Sequence, residues 1–318
     1  MNPYVFIVGC ARSGTTLLRR MVDAHPLIAI PREQHWLPKW FERRKGVTPE
    51  GFVTPEIVSK LIEYEKFVRM CIGREELERL LGSGAPVKYS DFVSGVFDLY
   101  GQAQGKSLVG DKTPAYVDSI PTLHVLWPNA KFVHLVRDGR NVCLSTINWE
   151  RAFKIARRFT SWDEDAVTTT ALWWERKVRL GHEAGAPLGP ELYHEIRYEE
   201  LVSEPAKTCA ALCGFLDLPY DEAMLKFHEG RTKTKPGLDA KGAWLPVTPG
   251  LRDWRTQMPL EDLERFEATV GDLLEELGYE RAFSDPSPQA LDHARRIRDF
   301  FTQDIRERGE RLPAGWEA

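Results

Sequence analysis

The sequence has little of several features that mark common protein classes. Its 318 residues include five cysteines, an odd number, and no two of them are spaced as CxxC. A disulfide framework or a zinc site is therefore not expected, and a reducing, cytoplasmic location fits better. Positive and negative charges nearly balance, with 43 Lys and Arg against 47 Asp and Glu, which argues against nucleic acid as a partner.

Long apolar runs, repeats and low-complexity segments are missing as well. No run is long enough to cross a membrane, and the start MNPYVFIVG carries no basic leader. No linker rich in Pro, Gly or Ser divides the chain. We therefore expect one domain over residues 1–318 without a membrane span, and the sequence leaves open whether that domain forms a homodimer.

Short apolar runs alternate with segments of helical periodicity along most of the chain. Residues 4–8 form a continuous apolar run that ends at Gly9, as in a strand buried on both faces, and residues 15–24 follow with helical spacing. Further apolar runs lie at residues 27–30, 107–110, 131–136 and 192–196. This alternation predicts an α/β fold of three layers, with a central parallel sheet flanked by helices.

Three longer segments complete the pattern. Residues 50–85 show strong helical periodicity, and a further helix is expected at about 288–311, packed by one apolar face that carries Ile297, Phe300, Phe301 and Ile305. Residues 231–258 are irregular and rich in Lys, Arg, Gly, Pro and Trp. A loop of that length is usually functional or disordered.

Residues Gly9 to Thr16, GCARSGTT, have the GxxxxG spacing of a phosphate-binding P-loop between a predicted strand and a predicted helix. In such a loop backbone N–H groups and the helix N-terminus converge on an anion. The lysine on which ATP and GTP hydrolases depend is replaced by Thr15, and Arg12 supplies the positive charge. The alternative is a tight turn without a ligand, but the flanking elements favour phosphate binding in a P-loop-type fold.

The segment CARSGTTLLRRMVDAHP resembles the 5′-phosphosulfate loop of sulfotransferases that use 3′-phosphoadenosine-5′-phosphosulfate (PAPS). The resemblance is closest to the branch that includes tyrosylprotein sulfotransferases and many bacterial members. It implies that Arg12 lies near the transferred sulfuryl group. It also implies contacts to the 5′-phosphate from Ser13, Gly14, Thr15 and Thr16.

Two further segments extend the resemblance. In KFVHLVRDGRNVCLS, Arg137 precedes Ser145 by eight positions, as in the family's 3′-phosphate motif. Because ATP has no 3′-phosphate, this motif distinguishes PAPS from ATP. The segment IRYEEL is similar to the one in which a tyrosine, here Tyr198, approaches the adenine.

A fourth segment departs from the family's pattern. Arg252-Asp-Trp-Arg255 is similar to the Gly-Asp-Trp-Lys segment of steroid-type enzymes, but Val-Thr-Pro at residues 247–249 stands where those enzymes have Arg-Lys-Gly. Arg252 or Arg255 is therefore the candidate for the missing contact to the 3′-phosphate.

Sulfuryl transfer runs in line through a loose transition state, so positioning and cations do most of the work. The resemblance implies that Arg12 and Lys112 stabilise the transferring group, and no metal is expected to be required. The alternative for Lys112, in GDKTP, is a solvated loop lysine paired with Asp111. The acceptor hydroxyl also needs a general base. The resemblance places Glu33 at the catalytic carboxylate, and His35 is the alternative because an imidazole titrates near neutrality.

These features predict an enzyme that transfers a sulfuryl group from PAPS to a hydroxyl of a small-molecule, carbohydrate or peptide acceptor. The tryptophans near the expected cleft do not identify the acceptor, and most are expected in the core: Trp36, Trp40, Trp149, Trp162, Trp173 and Trp174. Two alternatives stay open, a nucleotide-dependent kinase with a P-loop and a non-catalytic nucleotide-binding module. The absent P-loop lysine disfavours the first, and Glu33 with Lys112 beside a donor site disfavours the second.

Overall fold

The computed structural model describes residues 2–82, 84–229, 247 and 252–316. Within them, four parallel strands form a central sheet in the order β4-β1-β5-β6, and β2 pairs with β3 in a second, two-stranded parallel sheet. The strands are β1 (Val5–Gly9), β2 (Ile28–Ala29), β3 (Leu108–Val109), β4 (Asp111–Lys112), β5 (Lys131–Val136) and β6 (Tyr193–Arg197).

Helices cover both faces of the central sheet. They are α1 (Thr15–Ala24), α2 (Leu37–Glu42), α3 (Glu56–Ile62), α4 (Glu65–Val68), α5 (Arg74–Leu81), α6 (Tyr89–Ala103), α7 (Ile120–Leu126), α8 (Gly139–Ile147), α9 (Ala166–Gly185), α10 (Tyr198–Ser203), α11 (Pro205–Phe215), α12 (Trp254–Gln257), α13 (Leu260–Glu276) and α14 (Pro288–Glu307). Short 3₁₀ helices add Pro114–Ser119, Ala152–Lys154, Ala156–Arg158, Thr160–Asp163, Ala186–Leu188 and Glu222–Met224.

Strand β1 lies at the centre of the sheet and is buried along its whole length. Successive side chains of a strand point to opposite faces, and here Phe6 and Val8 join one apolar cluster while Val5 and Ile7 join another, which α1 and α11 complete. A third cluster gathers α8, α9, α13 and α14. The predicted three-layer α/β fold is therefore confirmed.

Gly110 separates two strands where the sequence predicted one. Its N–H donates to the carbonyl of Ala29 at 2.9 Å, and a Cβ on it would lie 2.5 Å from the carbonyl oxygen of Val5. The chain thus leaves the small sheet after β3 and enters the central sheet as β4, where Lys112 pairs with Ile7. The prediction placed Lys112 after the strand, whereas the structure places it within one.

The helical character predicted for residues 50–85 is present but divided among separate helices. The structure has three short helices there, α3, α4 and α5, and Cys71 between the last two adopts a left-handed φ of 57°. A left-handed residue interrupts the i to i−4 hydrogen bonds of a helix, so the chain turns at this point. Apolar periodicity does not detect such a turn, because each of the three helices keeps its own buried side: Ile57, Phe67 and Leu77.

The C-terminal helix begins at the predicted residue and ends earlier than predicted. Helix α14 stops at Glu307, and Ile297, Phe301 and Ile305 are fully buried, whereas Phe300 is 49% exposed and so lies outside the apolar face. Most of the irregular stretch at 231–258 lies outside the described residues. None of the described helices is both long and apolar enough to cross a membrane. The division into a single domain stays a prediction.

Candidate active site

The loop between β1 and α1 has the backbone of an anion cradle. Gly9, Arg12 and Gly14 have positive φ angles of 145°, 74° and 98°, which turn the chain sharply before α1 begins at Thr15. A Cβ on Gly14 would overlap the ring of Tyr198, so only glycine allows this loop and that ring to touch. The sequence motif therefore forms the predicted strand, loop and helix, and Tyr198 packs directly against it.

Two buried polar groups at this loop have no hydrogen-bond partner among the residues that the structure describes. Ser13 is fully buried and its Oγ is unpaired, and the same holds for Nε of Arg137, a residue that is only 7% exposed. Leaving such a group unsatisfied costs about 1–3 kcal/mol. A phosphate at the N-terminus of the 10-residue helix α1 would satisfy groups of this kind, so the residues present fit a phosphate ligand.

Residues from three distant segments meet beside the loop. Nε of Arg12 donates to Oγ of Ser145 at 3.0 Å, and the Arg12 guanidinium lies 4.8 Å from the ring centroid of Trp149. The guanidinium of Arg137 lies 4.1 Å from the ring centroid of Tyr198 and donates to the carbonyl of Arg12 at 3.4 Å. The structure thus places Arg12 among the residues expected to bind the 3′-phosphate.

The two candidate arginines at the edge of this region differ in their surroundings. Arg252 lines a cavity of about 410 Å³ together with Leu144 and Asn148 at the end of α8 and Gln257 of α12. Its charge acts on Arg137, whose pKa is lowered mainly by burial and further by Arg252. Arg255 instead pairs with exposed Glu280 at 3.0 Å. Residues 248–251, where part of the departure from the family's pattern falls, lie outside the described residues.

A second group of side chains lies near the first turn of α1. Nζ of Lys112 is 2.5 Å from Oε1 of Glu33 and 3.4 Å from Oγ1 of Thr16, and Nε2 of His35 is 2.9 Å from Oε2 of Glu33. Lys112 is only 3% exposed, so the alternative of a solvated loop lysine is wrong. The two candidate bases and the candidate cation therefore form one contiguous hydrogen-bonded chain that ends at Thr16 of α1.

The protonation state of Glu33 follows from this pairing. Burial acts to raise its pKa, but the Lys112 ammonium and the hydrogen bond with His35 outweigh burial and hold the pKa of Glu33 well below its usual range. The carboxylate is thus ionised and paired in this state. Its side chain is still 37% exposed, which leaves room for an acceptor to approach.

The backbone that presents Glu33 is anchored in the core. The N–H of Gln34 donates to Oγ1 of Thr113 at 3.1 Å, which ties this segment to the residue after Lys112. Trp36, fully buried, donates from Nε1 to Oε1 of Gln34 at 3.2 Å. The Gln34–Thr113 hydrogen bond therefore holds the Glu33 segment beside Lys112 in addition to the attraction between the two charges.

Two site residues were not singled out as such from the sequence. Asp111 is fully buried, and burial raises its pKa to about 7 against smaller opposing effects of Thr113 and Lys112. Lys66 lies close enough to Glu33 for that carboxylate to raise its pKa, against a larger lowering by burial. In the sequence, only its position next to Lys112 pointed to Asp111 as a site residue, and nothing pointed to Lys66. As expected, most of the cleft tryptophans are core residues: Trp36, Trp40, Trp173 and Trp174 are buried.

Comparison with known proteins identifies the family. The profile of the sulfotransferase family matches residues 3–222, about two thirds of the chain. The chain belongs to the sulfotransferase family. Its resemblance to this family, proposed from the sequence, is therefore confirmed, and sulfuryl transfer is the activity that the family supports.

Related sulfotransferases include enzymes named for protein tyrosine. Protein-tyrosine sulfotransferase 1 of Danio rerio is 28% identical over 320 residues, which cover 93% of this chain and 79% of the relative. The Homo sapiens protein of that name is 27% identical over 316 residues, with 93% and 76% covered. For the relative in Drosophila melanogaster the alignment covers 89% of this chain and 53% of the relative.

Two solved sulfotransferase domains share the fold. The domain from the Synechococcus PCC 7002 olefin synthase is 26% identical with a TM-score of 0.53, over 88% of this chain and 95% of that one. The domain from the curacin biosynthetic pathway has a TM-score of 0.58 at 21% identity, over 88% and 99% of the two chains. The second likeness concerns the fold alone.

Proposed function

We propose that this sulfotransferase uses PAPS as its donor and transfers the sulfuryl group to an acceptor hydroxyl, with Glu33 as general base. One observation carries the proposal: Thr16, Lys112, Glu33 and His35 form a continuous chain of contacts that starts on the phosphate-binding helix. A donor phosphate at the loop and a base for the acceptor are thereby brought together by one buried cation.

Donor binding divides between the two ends of the loop. The 5′-phosphate side is formed by the backbone from Ser13 to Thr16 and the unpaired Ser13 hydroxyl. The 3′-phosphate side is formed by Arg137, Ser145 and Arg252, with Arg12 already hydrogen-bonded to Ser145. Tyr198, packed on Gly14 and Arg137, is the flat surface for the adenine. PAPS supplies the activated sulfuryl group, and this chain supplies its position.

Lys112 is the cation best positioned for the transferring group. Its ammonium lies between Thr16 and Glu33 and is almost fully buried, so its charge is weakly screened by water. Preorganised cations aimed at developing charge are usually the largest contribution to catalysis. We therefore assign Lys112 to the charge that accumulates on the sulfuryl oxygens and the leaving phosphate.

The same pairing explains how Glu33 becomes a base only when needed. A carboxylate held by Lys112 and His35 is a poor proton acceptor because its pKa is depressed. When Lys112 turns its N–H groups toward donor oxygens, Glu33 loses its strongest partner, and burial then raises its pKa. Glu33 takes the acceptor proton in this state, while His35, bonded to the other oxygen, keeps the carboxylate oriented.

The acceptor class is proposed from the relatives. The curated relatives are named for protein tyrosine, and a phenol with a pKa near 10 needs a general base to react near neutrality. We therefore propose tyrosine-containing peptides as the first acceptors to test, followed by simple phenols and sugars. The cytoplasmic location, a homodimer and independence from metal stay predictions.

A thermal-shift series tests the donor without knowledge of the acceptor. A ligand that binds only the folded state raises the melting temperature. Adenosine 3′,5′-bisphosphate should stabilise the protein more than ADP or ATP with magnesium does. Stabilisation by magnesium ATP alone would overturn the proposed donor and favour the kinase alternative. If the bisphosphate stabilises it but no acceptor is sulfated with PAPS in the presence of a broad hydroxyl panel, the protein is a binding module.

A further inference from the structure

Three side chains of types that can bind a metal ion form a cluster in the central sheet and on α9. His134 is in the middle of β5, Glu195 is in β6 and His182 is near the end of α9. The metal-ligating atoms of these three side chains lie within 4.8 Å of one another, and no other group of three or more His, Cys, Asp or Glu side chains in the described part of the chain is placed in this way. The cluster contains no cysteine and its residues lie far apart in the sequence, so no sequence motif marks it.

Within the described part of the chain, the hydrogen bonds of His134 leave one of its nitrogens without a partner. Its Nδ1 lies 2.6 Å from the hydroxyl of Tyr193, whereas its Nε2 is buried and unpaired. Metal-bound histidines commonly donate their other N–H to an oxygen that fixes the tautomer. The Tyr193 hydroxyl is placed to accept in this way.

Gly181 allows the helix to approach His134 closely. A Cβ on Gly181 would overlap the His134 ring at Cε1 and Nδ1. The neighbouring residue, His182, is thereby brought against β5 and β6, where its Nε2 lies 2.6 Å from Oε2 of Glu195. Nε of Arg197 lies 3.4 Å from Oε1 of Glu195. Among the described residues, this guanidinium is the positive charge in contact with the cluster that would repel a bound cation.

We propose that His134, His182 and Glu195 bind one divalent transition-metal ion, with zinc as the best match. Two imidazoles and one carboxylate form a ligand set that zinc takes, with bond lengths of about 2.0–2.2 Å. Such bonds place the ligand atoms roughly 3.3 Å apart, so the side chains must close slightly around the ion. His182 and Glu195 have side chains that are 37% and 28% exposed, which gives them room to move and gives the ion a path.

The ion would act as a structural link and not in sulfuryl transfer. It joins β5, β6 and α9, and the residues that directly follow these two strands are Arg137 and Tyr198. A bound metal would therefore hold the strands that present two donor-site residues. This site does not depend on the proposed donor or acceptor.

Metal titration of the untagged, chelator-treated chain tests the proposal. Cys71, the one exposed thiol among the five cysteines, is first replaced by serine so that it cannot capture zinc. Calorimetry with zinc and visible absorption with cobalt should then show one equivalent bound. His182→Gln and Glu195→Gln should each weaken binding by at least about tenfold. His124→Gln, a change of the same kind on α7 outside the cluster, should leave affinity unchanged.

The outcomes separate a metal site from a hydrogen-bonded network. Both cluster variants alter partly exposed side chains, and far-ultraviolet circular dichroism checks that each remains folded. Absence of saturable, one-equivalent binding to the Cys71→Ser protein would overturn the proposal. Equal affinities in the parent and in both folded cluster variants would overturn it too, because the ion would then be bound elsewhere.

Discussion

Replacing Arg137 by alanine tests the donor site more directly than any other single change. The guanidinium is almost buried, stacks on Tyr198 and has an unpaired Nε, so it can offer N–H groups to an anion at little cost in reorganisation. The backbone of Arg137 keeps its own role, since its carbonyl accepts a hydrogen bond from Nε1 of Trp174 at 3.0 Å. Truncation of the side chain therefore removes the charge and leaves the strand end anchored.

The size of the effect follows from the contacts that are lost. A hydrogen bond to a charged group contributes about 1.5–3 kcal/mol, and a guanidinium commonly makes two to one phosphate. Two such bonds at the lower end of this range contribute about 3–4 kcal/mol, and their loss corresponds to a decrease in affinity of roughly 100-fold to 1,000-fold. Adenosine 5′-phosphate lacks the 3′-phosphate. Its affinity should therefore fall only about threefold, because Arg137→Ala removes the cation–π contact that supports Tyr198.

Calorimetric titration of the two nucleotides measures this difference. The parent protein, Arg137→Ala, Arg137→Lys and the distant control Arg311→Ala are each titrated with adenosine 3′,5′-bisphosphate and with adenosine 5′-phosphate. Lysine should recover only part of the loss, because it cannot bind phosphate with a planar fork. Equal losses for both nucleotides in Arg137→Ala would refute the assignment of Arg137 to the 3′-phosphate.

Three further predictions concern neighbouring residues. Glu33→Gln should lower kcat in a sulfate-transfer assay by about 10²–10⁴-fold and leave the dissociation constant for the bisphosphate unchanged. Retention of kcat would instead favour His35 as the base. The raised pKa of Asp111 gives a stability that is complete below its unfolded value of about 3.8 and is lost as the pH rises through about 7. Asp111→Asn should therefore raise the melting temperature at pH 8, where the gain in the free energy of unfolding is at most about 4 kcal/mol, and should change it little at pH 4. An equal change in melting temperature at both pH values would contradict this reasoning. Trp149→Ala removes the ring that faces Arg12 and should raise KM for the donor about fivefold, because a cation–π contact of about 1 kcal/mol is lost, with little change in kcat. An unchanged KM would show that Trp149 does not position Arg12 for the donor.

Local features of the fold could be read from the sequence because they depend on neighbouring residues. A fully buried strand reads as a continuous apolar run, and the glycines of GCARSGTT mark the turn before α1, so β1, the loop and α1 were predicted within a residue or two. The helical pattern at 50–85 was equally strong, yet it concealed a left-handed residue at Cys71. Periodicity reports which side of a segment is buried and does not report a change in its direction.

The tertiary structure alone decided which distant residues meet. Lys112 and Glu33 are 79 residues apart and Arg12 and Ser145 are 133 apart, and no local pattern states that either pair is in contact. Family resemblance named these residues, but the pairing that ionises Glu33 and the burial that raises the pKa of Asp111 arise only when the strands assemble. The cluster of His134, His182 and Glu195 is the extreme case, since three residues without a motif become neighbours through the packing of one helix on two strands. Electrostatic interactions and burial depend on distances in three dimensions, and these groups come close to one another only when the chain folds.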